Sequence, residues 1–255
     1  MSTATTPILS LSHISKRFDG LQVLEDVSFD VYSGETLGLI GPNGAGKTTL
    51  FNIVSGILEA SSGTVTFDGQ SINRLSPAAR ARRGMVRTFQ KSLVFPELTV
   101  LGNLSMAILA RRKEGYRWRG GKAVQQQADL EAQRLLQNTT LAAHSNKPAS
   151  TLSYGEQRIL DILLALAQKP RLLLLDEPSA GLSAQESEAL FQLLHQQHAQ
   201  TAIILIAHDI DIIFRESERI AVLNLGRLLI IDRPDIVRAD EGARMAYLGE
   251  LAHTP

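Results

Sequence analysis

Apolar and polar positions change rhythm along the chain. Between residues 8 and 34, short apolar runs alternate with turn signals, and "ILSLSHI" and "VLEDVSFDVYSGE" predict strands of an antiparallel sheet. "TLGLI" (36–40) then runs through a glycine-rich turn into the helical pattern "KTTLFNIVSGIL", giving strand, loop, helix. "GTVTFDG" (63–69) predicts another short strand bounded by glycines, and "MVRTFQ" (85–90) ends a further one. From about 99 to 169 the character is helical, with no convincing strand. Its middle, "ARRKEGYRWRGGK" (110–122), reads as an exposed connection between helices. That basic run suits a solvated loop, or contact with lipid head groups or a membrane subunit, and its charge alone does not separate these. After 170, "RLLLLDEP" predicts a strand, "SAQESEALFQLLHQQHAQ" a helix, "TAIILIAHD" a strand, and "ERIAVLNLGRLLIID" a hairpin through Asn224, Leu225 and Gly226. Strands alternating with helices imply a parallel sheet with crossover helices. The pattern as a whole is an α/β core at both ends of the sequence with a helical insertion between them.

Composition narrows the function classes. The chain has 255 residues, 44% hydrophobic and 20% charged, enough for a sizeable core. Its 26 basic and 26 acidic side chains cancel, which speaks against nucleic-acid binding by broad phosphate neutralisation. With no cysteine, disulfides, thiolate metal sites and cysteine nucleophiles are excluded. "MSTATTPILSLS" lacks a basic region followed by a long apolar run, so no secretory signal is expected. The longest apolar runs, "LLLL" (172–175) and "AIILIA" (202–207), fall far short of the roughly 20 residues that span a bilayer. They read as buried parallel strands. The expectation is a soluble, cytoplasmic protein whose membrane association comes through a partner.

The chemistry is concentrated in a few stretches. "GPNGAGKTT" holds G-x-x-x-x-G-K-[ST] as Gly41, Gly44, Gly46, Lys47 and Thr48, with a strand before and a helix after. Glycines let backbone N–H groups approach phosphate oxygens, the lysine reaches the terminal phosphates, and the threonine hydroxyl ligates Mg2+. "LLLLDEP" places Asp176 and Glu177 at the end of a buried strand. An acid there holds Mg2+ in a P-loop enzyme. The next side chain points the other way, so Glu177 is placed to polarise a water. His208 ends another apolar strand, where a lone histidine is commonly structural. Its placement beside the carboxyl ends of the parallel strands favours a γ-phosphate contact. Gln90 ends "VRTFQ", and by its chemistry alone is as well read as structural. Finally, "TLSYGEQRIL" (151–160) sets Ser153 three residues before Glu156, the spacing of a capping box. A helix start is also a natural anion site.

Taken together these residues resemble the ATP-binding subunits of ABC transporters, over roughly residues 8–250. Gly41–Thr48 matches the Walker A motif, Gln90 the Q-loop, "LSYGEQ" (152–157) the signature, "LLLLDE" (172–177) Walker B, "SAGLS" (179–183) the D-loop, and His208 the H-switch. The resemblance implies an α/β fold: a P-loop NTPase (RecA-like) core with an N-terminal antiparallel β subdomain and an inserted α-helical subdomain. The core is expected over 1–90 and 159–255, and the helical subdomain with the signature over 91–158. Implied for ATP are Phe18 (stacking on adenine, although a strand-end Phe suits a core equally), Gly41, Pro42, Asn43, Gly44, Ala45, Gly46, Lys47, Thr48, Thr49 and Gln90. Thr48, Gln90 and Asp176 are implied for Mg2+, and Glu177 and His208 for catalysis. Ser153, Tyr154, Gly155 and Glu156 would face the ATP bound to another subunit in a head-to-tail dimer.

Two departures stand out: Tyr154 where the commonest signature has glycine, and Ser183 where the D-loop often has Asp. "RTFQKSLVFPELTVLGNL", "LSYGEQR", "DEPSAGL" and "AYLGE" resemble the branch that energises branched-chain amino acid and urea or amide importers. The ATPase of the lipopolysaccharide exporter is a near pattern, and a soluble ABC-type ATPase is a further alternative. Implied partners are two transmembrane permease subunits, a second ATP-binding subunit (sister or self), and indirectly a solute-binding protein, with no nucleic acid. Implied location is peripheral, on the cytoplasmic side of the plasma membrane. Phe95, Pro96 and Leu98 form the expected docking surface.

Overall fold

The structure, a computed structural model, describes residues 6–88, 94–112, 121–197 and 200–251. It divides into two units: residues 1–87, 171–177 and 200–255 in the first, and 88–170 and 178–199 in the second.

The first unit contains two sheets. In the antiparallel one, β1 (Leu9–Phe18) pairs with β2 (Leu21–Val31) and with β4 (Ser62–Phe67), and β5 (Gln70–Ser71) closes the edge, in order β2-β1-β4-β5. The second has order β10-β9-β3-β8-β7-β6, built from β3 (Thr36–Ile40), β6 (Met85–Arg87), β7 (Leu172–Asp176), β8 (Ala202–Ile206), β9 (Arg219–Asn224) and β10 (Arg227–Asp232). Its pairs are parallel except β9 with β10, the hairpin expected around Leu225 and Gly226. Those two residues have φ of 45° and 79°, as a two-residue hairpin with strand-like twist requires.

The continuous apolar runs of β7 and β8 are buried at every position. Leu172, Leu174, Ile204 and Ile206 join one core with Leu9, Ile14 and Val27 of the antiparallel sheet and Leu50, Phe51 and Ile53 of α1 (Lys47–Ser55). The opposite face of β3 lies against α7 (Ile210–Glu216). A Cβ on Gly38 would stand 2.5 Å from Ile213 and 2.6 Å from Ser217. A strand covered on both faces cannot alternate in polarity, which is why these runs read as continuous. Arg80 of α2 (Pro77–Arg82) is buried. It donates to Ile53 O and Val54 O, each at 2.7 Å, and to Ile72 O at 2.8 Å. The last carbonyls of α1 thus find a cationic cap. The last described elements are two helices, α8 (Pro234–Ala239) and α9 (Glu241–Leu251).

In the second unit α3 (Val100–Arg112) packs on α4 (Gly121–Leu136) and α5 (Tyr154–Ala167), and α5 on α6 (Ala184–Gln197). Val100, Leu104 and Ile108 are buried at four-residue spacing on α3, and Ala128, Ala132 and Leu136 at the same spacing on α4. The basic stretch 110–122 is not wholly a connection. Arg111 and Arg112 belong to α3 and bond Glu131 at 2.9 and 2.7 Å. Residues 113–120 of it lie outside the described residues. No helix among the described residues is long and apolar enough to cross a membrane.

Candidate active site

β3 ends at Ile40, and the chain then turns through Gly41–Gly46 into α1. Gly41 has φ of 148°, and a Cβ there would run into the carbonyl of Leu223 on β9. Gly46, φ 101°, would put one 2.6 Å from Leu24. Glycine is therefore required at both by close approach as well as by backbone conformation. Gly226 of the hairpin braces the loop by donating to Ala45 O at 3.1 Å. Lys47 Nζ folds back over the loop, donating to Gly41 O and, at 3.2 Å, to Pro42 O.

Asp176 ends β7 and Glu177 follows it with φ of 52°, a left-handed conformation uncommon for a residue with a side chain. The two carboxylates meet different partners. Asp176 Oδ2 accepts from Arg87 Nη2 at 3.1 Å, whereas Glu177 Oε1 lies 2.7 Å from His208 Nε2. The Glu177 backbone N–H donates to Ile206 O at 2.8 Å, tying the carboxylate to the end of the strand that leads to His208. Asp209 caps α7, receiving Asp211 N–H at 2.9 Å, and so orients the segment that begins at His208. The first unit thus carries the glycine loop, Lys47, Thr48, Asp176, Glu177 and His208. Phe18, at the end of β1, is 43% exposed and is not core. Lys16 Nζ sits 4.9 Å from its ring centroid. Gln90 lies outside the described residues.

These residues fit a nucleoside triphosphate with Mg2+. α1 opens on Gly46 with no side-chain cap and no acid in its first turn, so an anion there meets the positive end of the helix dipole with no carboxylate of that turn to repel it. Gly44, φ 80°, borders open space where a Cβ would meet nothing within 4 Å. A hydroxyl and a carboxylate, Thr48 and Asp176, are the hard oxygen donors that Mg2+ prefers.

The signature stretch lies in the second unit. Ser153 caps α5 through the expected capping box: Glu156 N–H donates to Ser153 Oγ at 3.3 Å, and Ser153 N–H to Glu156 Oε2 at 2.8 Å. Burial works against the Glu156 charge. The Ser153 N–H and hydroxyl and His144, 2.7 Å away, outweigh it and hold the carboxyl below the usual range. Tyr154 turns sideways, its hydroxyl donating to Ala180 O at 3.3 Å, and leaves Ser153 and Gly155 at the helix start. A Cβ on Gly155 would collide with the carboxylate of Glu186 on α6. Ser183, whose role the sequence left open, caps α6 with that same Glu186. Its N–H and hydroxyl each donate at 2.8 Å, and Glu186 N–H returns a bond at 3.3 Å.

Arg87 was missed from sequence, because a lone arginine at a strand end carries no periodic signal. The second capping box was legible as Ser183-x-x-Glu186 before an apolar helix.

Fold and loop together define a P-loop nucleoside triphosphatase. Residues 24–180 match the family model described as "ABC transporter", and the chain belongs to that family as an ATP-binding subunit. It is 38% identical over 251 residues to the high-affinity branched-chain amino acid transport ATP-binding protein LivG of Escherichia coli K12, covering 96% of this chain and 98% of that one. To BraF of Pseudomonas aeruginosa, of the same description, it is 36% identical, with the same coverage. To the E. coli K12 lipopolysaccharide export system ATP-binding protein LptB it is 33% identical, over 95% and 97%. Among solved structures, the ADP conformation of MJ1267, an ATP-binding cassette of an ABC transporter, superposes with a TM-score of 0.80 at 28% identity, over 96% of this chain and 100% of that one. The dimeric post-hydrolysis state of the cassette MJ0796, bound to ADP and Pi, gives 0.70 at 25% identity, over 89% and 98%.

Proposed function

We propose that the chain hydrolyses ATP to drive an ABC importer of branched-chain amino acids, or of a related small polar solute such as urea or an amide. The observation that carries this reading is the near full-length likeness to LivG, which exceeds that to the exporter ATPase LptB. The site chemistry follows from the residues in place. Lys47 leaves its loop carbonyls for the β- and γ-phosphates, while the loop N–H groups and the start of α1 take up phosphate oxygens. Thr48 and Asp176, with Gln90, hold Mg2+, which when bound neutralises phosphate charge. Glu177 accepts a proton from the attacking water. His208, within hydrogen-bond reach of Glu177, holds that carboxylate and the γ-phosphate. Phe18 stacks on adenine.

The start of α5 serves a nucleotide on a second ATP-binding subunit, through Ser153 and the N–H groups of Tyr154 and Gly155, with Glu156 holding Ser153 in place. One complete phosphate loop already exists in the chain, so a second phosphate site has a use as the opposite wall of a head-to-tail pair. Supporting this, the similar cassette MJ0796 is dimeric in its post-hydrolysis state. Phe95, Pro96 and Leu98 dock the permeases. Phe95 is 55% exposed, yet its backbone is clamped by buried Asn103, which accepts its N–H at 2.8 Å and donates to its carbonyl at 3.0 Å. An exposed aromatic on a fixed backbone suits a binding surface. The protein would then sit peripherally on the cytoplasmic face of the plasma membrane, with a solute-binding protein on the far side.

Affinity purification of the tagged chain from its own membranes tests the reading. Two polytopic membrane proteins and a similar ATPase are expected. Recovery of lipopolysaccharide-export components instead would favour the exporter, and recovery of ribosomes or DNA would remove membrane transport altogether.

A further inference from the structure

Arg87 ends β6, beside β7 and its terminal Asp176. Its guanidinium is nearly buried and reaches two elements at once. Nη2 lies 3.1 Å from Asp176 Oδ2, while Nη1 lies 2.6 Å from Asn52 Oδ1 and 3.2 Å from Ser55 Oγ. Asn52 and Ser55 follow Thr48 at i+4 and i+7, so all three stand on one face of α1. Phe51 supplies a ring 5.6 Å from the guanidinium carbon. One planar fork therefore links the helix face that begins at Thr48 to the carboxylate at the end of β7.

We propose that Arg87 is a positioning residue for the Mg2+ site, setting Asp176 against Thr48 before nucleotide arrives. The proposal rests on the reading of Thr48 and Asp176 as the metal-holding pair. The physical reason is geometric. Binding Oδ2 from a fork that is itself anchored on α1 fixes the plane of the carboxylate, and with it the direction of Oδ1. Lysine cannot substitute, because a point charge on a flexible stem does not bridge Asn52 and Asp176 together. A nearby positive charge also opposes the metal, so the two effects have opposite signs. Positioning wins if removing Arg87 weakens the response to Mg2+. Outer partners of metal ligands are typically worth 10–100-fold in affinity or activity.

The test uses the whole chain and three variants, Arg87→Met, Arg87→Lys and Asp176→Asn. ATP affinity is measured by calorimetry in EDTA and again across an Mg2+ titration, beside the Mg2+ concentration for half-maximal hydrolysis. For Arg87→Met, affinity in EDTA within about twofold of wild type is expected, with the half-saturating Mg2+ raised roughly 10–100-fold. Arg87→Lys should shift in the same direction, and Asp176→Asn should lose more of the Mg2+ response than either. An unchanged or lowered half-saturating Mg2+ in Arg87→Met overturns the proposal. Should Arg87→Met fail to bind ATP even in EDTA, Arg87→Lys decides: a wild-type Mg2+ response there overturns positioning, and a raised half-saturation supports it. A full Mg2+ response in Asp176→Asn overturns the underlying metal reading itself, and is told apart from failure of positioning by that variant alone.

Discussion

Lys47 makes the most of its own loop, donating to the Gly41 and Pro42 carbonyls. Those are neutral acceptors, whereas a phosphate oxygen is charged, so the ammonium gains a charge–charge attraction on moving to phosphate. Lys47→Ala should therefore lower ATP affinity by about 10–150-fold, the equivalent of ~1.5–3 kcal/mol for a hydrogen bond to a charged group. Calorimetry reads this directly, and an unchanged Kd would refute the assignment of the loop. Residues of this kind announce themselves, because glycine, lysine and threonine at fixed spacing have few other reasons to occur between a strand and a helix. Arg87 and Arg80 did not announce themselves. Arg80 reaches Ile53, 27 positions away in sequence, and Arg87 reaches Asp176, 89 positions away, and only folding brings those together. Ser183 stood between. Its capping partner is local, but the D-loop resemblance drew attention to a missing Asp rather than to the helix it starts.

Elements were legible in proportion to their burial and length. The five-residue strands β7 and β8 are buried at every position, and apart from Asp176 at the end of β7 they are apolar throughout. The short helices α7 and α8, seven and six residues, offer too few turns for a 3.6 period to show. Between α3, α4 and the end of α5, the helical pattern was plain while the ion cluster that ties them was not. Glu131 meets Arg111, Arg112 and Lys169 at 2.9, 2.7 and 3.0 Å. Burial raises its pKa, but the three cations outweigh that and hold the carboxyl at about 2 against an ordinary 4.5. A carboxylate depressed on folding stabilises above its unfolded pKa and loses that contribution as pH falls through the folded value. Wild-type stability should thus decline between about pH 5 and 2 partly through this group. Glu131→Gln should be roughly 1–3 kcal/mol less stable at pH 7, allowing for solvent around exposed Lys169, and should converge on wild type at low pH. Urea melts across this range check it, and a constant gap between the curves would remove Glu131 from the account.

The molecule carries two kinds of helix start. α1 opens on a glycine with no side-chain cap, whereas α5 and α6 open on capping boxes, Ser153 with Glu156 and Ser183 with Glu186, which approach each other at Gly155, where a Cβ would meet Glu186. The Ser183 hydroxyl and N–H hold Glu186 below the usual carboxylate range, led by the N–H. In the proposed head-to-tail pairing, it is the start of α5 that would meet a partner's nucleotide. That partner is the part no single sequence displays, since half of the proposed site would belong to another polypeptide. Removing hydrolysis while keeping the metal carboxylate exposes it. In Glu177→Gln, the amide keeps hydrogen-bond reach to His208, Asp176 is untouched, and the proposed proton acceptor is gone. With ATP and Mg2+, size-exclusion chromatography should show this variant moving from monomer to dimer, and adding Ser153→Arg, which fills the space at the start of α5, should return it to monomer. If Glu177→Gln stays monomeric with ATP and Mg2+ while calorimetry shows nucleotide bound, self-pairing is wrong. A dimer that survives Ser153→Arg would mean that pairing does not run through the signature.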